Sequence, residues 1–183
     1  MAHLSIKKKI TRITFAVTFI SISCALSIIA YIQIHVYKKD FAREIGTTAK
    51  MLSENISAAI IFDDRDGAFE IVKKVDSLNF IVEVVVYKQN NEIFVHFKKK
   101  DSFQKVAEKF RMRSDYFETY ERDYYIQRSI IGHPSNVIGT LIIISKIDPI
   151  KEKIQQLLFS ILGVFFILQP FFFLLSIWLQ KSI

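Results

Sequence analysis

Three carboxylates crowd one short stretch of the sequence, FDDRDG, from Phe62 to Gly67. Carboxylates around a glycine are the material of a calcium loop. An EF-hand places ligands at positions 1, 3 and 5, glycine at 6 and glutamate at 12. With Asp64 at the first position and Asp66 at the third, Gly67 falls at the fourth, and the register fails. The stretch reads instead as a turn between two helices, with Asp64 or Asp66 capping the second. No metal and no cofactor are expected. Three tyrosines, Tyr116, Tyr120 and Tyr124, share one face if their segment is a continuous strand. Such a row lines a ligand pocket or a partner surface, or simply packs on the domain's helices. The basic run Lys98, Lys99, Lys100, Lys105, Lys109, Arg111 and Arg113 suits anionic headgroups, an acidic partner or a solvated loop.

Other reaction chemistry finds no foothold. The five glycines stand alone at 46, 67, 132, 139 and 163, so no glycine-rich nucleotide loop exists. His3, His35, His96 and His133 lie in unrelated contexts, and none centres a phosphoacceptor helix. No Ser/His/Asp set assembles, so the chain reads as a non-enzyme. The one cysteine, Cys24, excludes an intramolecular disulfide and sits within an apolar run. It reads as an apolar residue of that run rather than an acylated signal cysteine.

The elements that hold these residues begin with that run. Residues 13–37 contain no Asp, Glu, Lys or Arg, and neither do residues 154–180. About 20 mostly apolar residues cross a bilayer core as a helix, and both runs are long enough. All 18 acidic residues and 20 of the 25 Lys and Arg lie between Lys38 and Lys153. The other five basic residues, Lys7, Lys8, Lys9, Arg12 and Lys181, flank the outer ends of the two runs. Basic residues stay on the cytoplasmic side of a span. The net charge of +7 therefore reports topology and gives no reason to expect nucleic acid as a partner. The expected organisation is a cytoplasmic tail over 1–12, transmembrane helices over 13–37 and 154–180, and a periplasmic domain over 38–153. Pro170 in the second run kinks it or is tolerated there.

Within the central segment, Phe41, Ile45, Thr48, Leu52, Asn55 or Ile56, and Ala59 recur at spacings of three and four. This stripe predicts a helix continuing from the first span. It serves a core, or a coiled-coil contact with a second copy, or both on different faces. A helix over 68–78 follows, with Ile71, Val72, Val75 and Leu78 on one face. Phe80–Tyr87 reads as a buried strand and Ile93–Phe97 as its hairpin partner. The segment from Asp115 to Ile131 reads as one strand, joined to Val137–Ile147 through the turn GHPSN. Asp148 and Pro149 then open a helix leading into the second span. The fold class expected is α+β, an antiparallel sheet packed on a long N-terminal helix.

ISAAIIFDDRDGAFEIVKKVDSLNFIVEVVVYKQNNEIFVHF, followed by VIGTLIIISKIDPI, resembles the periplasmic sensor domain called CHASE8. That domain sits between two spans in bacterial diguanylate cyclases and sensor histidine kinases. Phe62, Asp64 and Ala68 match its helix-end motif, and Gly139, Thr140 and Leu141 match the motif of its last strand. Asn90 and Asn91 replace the usual hairpin glycine and tolerate left-handed backbone. The resemblance implies a PAS-like or Cache-like fold, dimerisation, inner-membrane location and, in some relatives, a small periplasmic regulatory protein. A dimer places Ile45, Leu52 and Ile56 in a seam between two copies. LQKSI, at 179–183, resembles the start of a HAMP linker, with residues 181–183 at the linker's beginning. The chain thus reads as the input half of a cyclic-di-GMP or two-component receptor without its output domain. It is then a truncated gene product, or half of a split pair whose output protein is separately encoded. The alternative is a membrane-anchored assembly subunit that binds a periplasmic partner.

Alkaline phosphatase, active only in the periplasm, tests the topology. A fusion at Lys100 is expected to be active and one after Ile183 inactive. The opposite result overturns the assignment.

Overall fold

The computed structural model describes residues 6–99, 117–121, 123–133 and 135–181. A single helix, α1, runs from Ile6 to Ile61. No proline interrupts it, and the apolar run passes without a stop signal into the one-sided stripe. By its contacts the chain divides into two compact units, Met1–Tyr37 with Glu152–Ile183, and Lys38–Lys151.

The first unit pairs the start of α1 with the later part of the last helix, α3 (Asp148–Lys181). Both α1 and α3 are long and apolar enough to cross a membrane. Phe19 meets Phe165 edge-on at 5.3 Å between ring centroids, and Phe15 meets Phe173 at 5.8 Å. The hydroxyls in the apolar stretches fold back on their own helix. Thr18 donates to the Thr14 carbonyl, Ser27 to Ser23 and Ser160 to Gln156. Such bonds satisfy a hydroxyl without an outside partner, as a bilayer core would require. Pro170 lies within α3 and cannot donate a helix bond to Phe166. The preceding Gln169 is buried, and its amide atoms find no partner among the described residues.

The second unit is the α+β domain. After α1 come α2 (Arg65–Lys73), a 3₁₀ turn (Lys74–Ser77) and five strands. The strands are β1 (Ile81–Lys88), β2 (Ile93–Lys98), β3 (Phe117–Glu121), β4 (Tyr124–His133) and β5 (Asn136–Lys146). They form one antiparallel sheet in the order β2-β1-β5-β4-β3. Seven consecutive residues of β1 are buried, as expected of a strand covered on both faces. One face carries Val84, Val86, Tyr125, Leu141 and Ile143, and it receives α1. Phe41 packs on Tyr125 at 5.9 Å and on Phe80 at 5.6 Å.

The turn between α1 and α2 uses each of its acids locally. Asp63 adopts the left-handed conformation that ends a helix (φ 55°), and its carboxylate takes the Lys88 ammonium at 2.6 Å. That bond, with the Lys88 charge, holds the Asp63 carboxyl below its ordinary pKa. Asp64 caps α2, accepting from the Gly67 N–H at 2.9 Å. Asp66 sits in the first helical turn, where the helix dipole favours negative charge. At the hairpin, Asn91 takes the left-handed backbone (φ 63°).

Three expectations are corrected. The helix expected over 68–78 starts earlier, at Arg65, and ends at Lys73. The chain then tightens as the Lys74 N–H turns to the Ile71 carbonyl, three residues back. The single strand expected over 115–131 is a hairpin among its described residues: β3 ends at Glu121, β4 starts at Tyr124, and Asp123 lies in a turn between them. Asp123 anchors that turn: its carbonyl accepts from Ile147 N–H at 3.0 Å and its carboxylate from Lys151 at 2.5 Å. Finally, Ile45, Leu52 and Ile56 are 0%, 2% and 0% exposed in a single copy, so they form the domain's own core rather than a seam between copies. An aliphatic stripe beside an apolar sheet face is covered first by its own chain.

Two substitutions test this packing in the full chain, read as thermal melts by circular dichroism. Leu52→Asp is expected to unfold the domain, since it buries an unpaired charge. A folded but dissociated protein would restore the seam. Gly139→Ala is expected to cost about 1–3 kcal/mol. Its added carbon would lie 2.5 Å from the Tyr87 carbonyl oxygen in the adjoining strand. An unchanged melt would refute the close approach.

Candidate functional site

Between α1 and the β3–β4 side of the sheet runs an open groove of about 930 Å³. Its helix wall includes Lys39, Ala42, Gly46, Lys50, Ser53 and Ser57. These positions recur at helical spacing beside the buried stripe, so they trace one line along α1. At 1.5 Å per residue that line is about 27 Å long. The strand wall includes Glu118, Ser129, Ile130 and His133. Most of the lining surface is carbon, with cationic and hydroxyl groups set into it.

Behind Glu118 of the strand wall, polar groups form a short chain. The Tyr125 hydroxyl lies 2.8 Å from a Glu118 carboxylate oxygen and 2.8 Å from the Gln127 amide oxygen. A hydroxyl carries one proton and can donate to only one of two acceptors. With the Gln127 amide turned, its N–H donates to Tyr125 and Tyr125 donates to Glu118. A buried glutamine is thereby linked to a carboxylate on the groove wall. Ser53 has no such link. It is 6% exposed, lines the groove, and its Oγ has no partner among the described residues.

The opposite sheet face carries charge within an apolar layer. Register places Glu83 beside Ile144, in one row with Ile126, and Arg128 beside Ile142, in one row with Val85. Val82, Val85, Tyr87, Ile126, Ile142 and Ile144 cluster there. Glu83 is buried and bonded to His96 Nε2 at 2.8 Å, with the histidine half-exposed. Arg128 is buried as well.

The tyrosine row does not form. Tyr120 lies on β3 and Tyr124 on β4, opposite faces of a hairpin register in which Tyr120 pairs with Tyr125. Tyr116 lies outside the described residues, as do Lys100, Lys105, Lys109 and Arg111. Tyr120 stacks on Tyr125 at 4.8 Å and donates to the Lys38 carbonyl at 3.1 Å. Burial raises its phenol pKa, and the nearby Glu118 charge adds to the effect. Tyr124 packs against the cluster on the other face. Of the residues in the helix-end and last-strand motifs, Asp64, Ala68 and Gly139 have structural roles: a cap, a fully buried contact and a close strand approach. Phe62 is 80% exposed and has no such role in a single copy. Sequence reasoning missed Ser53 and Lys50. Their only signal was a helical line of small and polar residues next to the apolar one.

Among curated proteins, no match to the sequence is found. Two solved structures of the Campylobacter jejuni chemoreceptor Tlp3 share the fold. One is its ligand-binding domain in complex with L-valine, with a TM-score of 0.53 and 13% identity over 79% of this chain and 66% of that one. The other is its sensory domain with isoleucine bound, with a TM-score of 0.53 and 13% identity over 79% of this chain and 65% of that one. The chain thus spans just under two thirds of those domains. At this identity the likeness is one of fold. The family model of the CHASE8 periplasmic sensor domain matches residues 37–144, more than half of the sequence. The chain, a membrane-anchored protein with a periplasmic sensor domain, belongs to the CHASE8 family.

Proposed function

We propose that this chain is the input module of a receptor in the bacterial inner membrane. Residues 38–153 sense a periplasmic event, and residues 13–37 and 154–180 carry it across the bilayer. Its output is a cyclic-di-GMP or two-component activity, and the module itself is not catalytic. The observation that carries this reading is covalent continuity. The sensor domain begins on α1 and ends into α3, and each of these helices also contains a membrane-length apolar run. A helix transmits rotation and translation along its axis, so a shift of the sheet against α1 or α3 has a direct path. Self-association of two copies fits the reading, through surfaces other than the buried stripe.

A second reading rests on Ile61 and Phe62. These large apolar residues are exposed at the α1–α2 turn. Such residues favour a protein contact, as in an assembly subunit that binds a periplasmic partner.

Fusing the chain through α3 to a diguanylate cyclase domain tests the first reading. One to four alanines inserted after Lys153 rotate the helix by about 100° each. Cyclic-di-GMP output in cells is expected to rise and fall with helical period. Output indifferent to all four insertions would remove the mechanical route and leave the partner-binding reading.

A further inference from the structure

The hairpin of β3 and β4 touches both long helices at the points where they leave the sensor unit. That unit begins at Lys38 and ends at Lys151. Tyr120, near the end of β3, donates its hydroxyl to the Lys38 carbonyl at 3.1 Å, across 82 residues of sequence. A carbonyl has two lone pairs, so Lys38 accepts this bond without leaving the helix ladder. The Tyr120 ring stacks on Tyr125, and Tyr125 on Phe41, three residues beyond Lys38 along α1. Asp123, three residues after Tyr120, reaches the other helix. Its carbonyl accepts from the Ile147 N–H, immediately before α3, and its carboxylate takes the Lys151 ammonium at 2.5 Å. Asp148 lies 3.8 Å from the same ammonium, so Asp123 is the nearer partner. The ladder between β3 and β4 is made by their backbones. The Tyr120 hydroxyl and the Asp123 carboxylate both reach out of the hairpin to a helix.

We infer that the β3–β4 turn is a clasp that couples α1 to α3 where both leave the sensor unit, with Tyr120 and Asp123 as its positioning residues. A displacement of the hairpin reaches both helices at once. A displacement of one helix passes to the other through the turn, without crossing the rest of the sheet. The buried stripe sets how α1 seats on the sheet, and the clasp sets where its exit stands relative to that of α3. The contacts suit a part that moves. Exposed ion pairs are weak, and the Lys151 and Asp123 side chains are both more than half exposed. Such bonds release and re-form, as the mobile elements of a receptor require. The signalling use of the clasp rests on the receptor reading. The coupling itself is measured without any output, so either can fail alone.

Coupling is shown when a change at one site is felt at the other. The full chain in lipid nanodiscs is followed by hydrogen exchange with mass spectrometry. Lys151→Gln removes the charge on α3, and the readout is on α1, at amides 39–43. Tyr120→Phe removes the bond to α1 but keeps the ring, and the readout is on α3, at amides 150–153. Each is expected to speed exchange on the opposite helix about two- to fivefold, the range of an exposed pair. Amides of β1 and β2 are expected to exchange as in the parent chain. Unchanged exchange on the opposite helix overturns the inference and leaves two separate local contacts. An equal rise in β1 and β2 also overturns it, since that marks a general loss of stability. If Tyr120→Phe lowers the thermal melt, Lys151→Gln, at a half-exposed side chain, decides alone.

Discussion

The burial of one aliphatic stripe of α1 against one face of the sheet is the constraint from which the rest of the domain follows. Phe41, Ile45, Ala49, Leu52, Ile56 and Ile60 occupy it, and all are buried. Each fully buried aliphatic side chain contributes about 1.5–3 kcal/mol, so the stripe fixes the rotation of the helix about its axis. Once that rotation is set, the neighbouring line from Lys39 to Ser57 must overhang β3 and β4 and form a groove wall. The left-handed Asp63 ends α1, and Asp64 starts α2, which packs beside β2.

Much of this was legible in the sequence. The helical stripe, the β-branched run of β1, the hairpin asparagines and the Asp64 cap follow from local chemistry. The break between β3 and β4 was not, because its turn carries charged residues where a glycine or proline would have marked it. Periodicity also showed that Ile45, Leu52 and Ile56 share a face, but not what covers it. A core and a seam between copies give the same pattern in one sequence. The groove was harder still. Its walls come from residues about 80 positions apart, such as Ser53 and Ser129, and only the sheet order brings them together. The tyrosine spacing implies a shared face only in an unbroken strand. Tyr120 packs on Tyr125 and bonds the Lys38 carbonyl, and Tyr124 packs on the other face.

The sheet keeps its two faces chemically distinct. The face under α1 is mainly aliphatic, with Tyr125 and Gln127 forming a polar link to the groove. The other carries the Glu83–His96 pair and Arg128 among isoleucines and valines. Buried charge is retained at a cost in stability that packing elsewhere must offset. In this domain that packing is the α1 stripe and the central strands.

The strand order also fixes a timetable for folding. β1–β2, β3–β4 and β4–β5 each join strands that are close in sequence. The central pair, β1–β5, joins residues 81–88 to 139–145 and can close only after everything between them has been made. Closing a long loop is slow relative to forming local hairpins. A chain that emerges from the N-terminus therefore has β1 and its apolar edge waiting, fully synthesised, for a partner made last. In that interval the aliphatic stripe of α1 is the nearest surface able to shield β1. The long helix is thereby placed to shield the strand before the sheet is complete, an order that pulsed hydrogen exchange would resolve as protection of α1 and β1 amides ahead of those of β5.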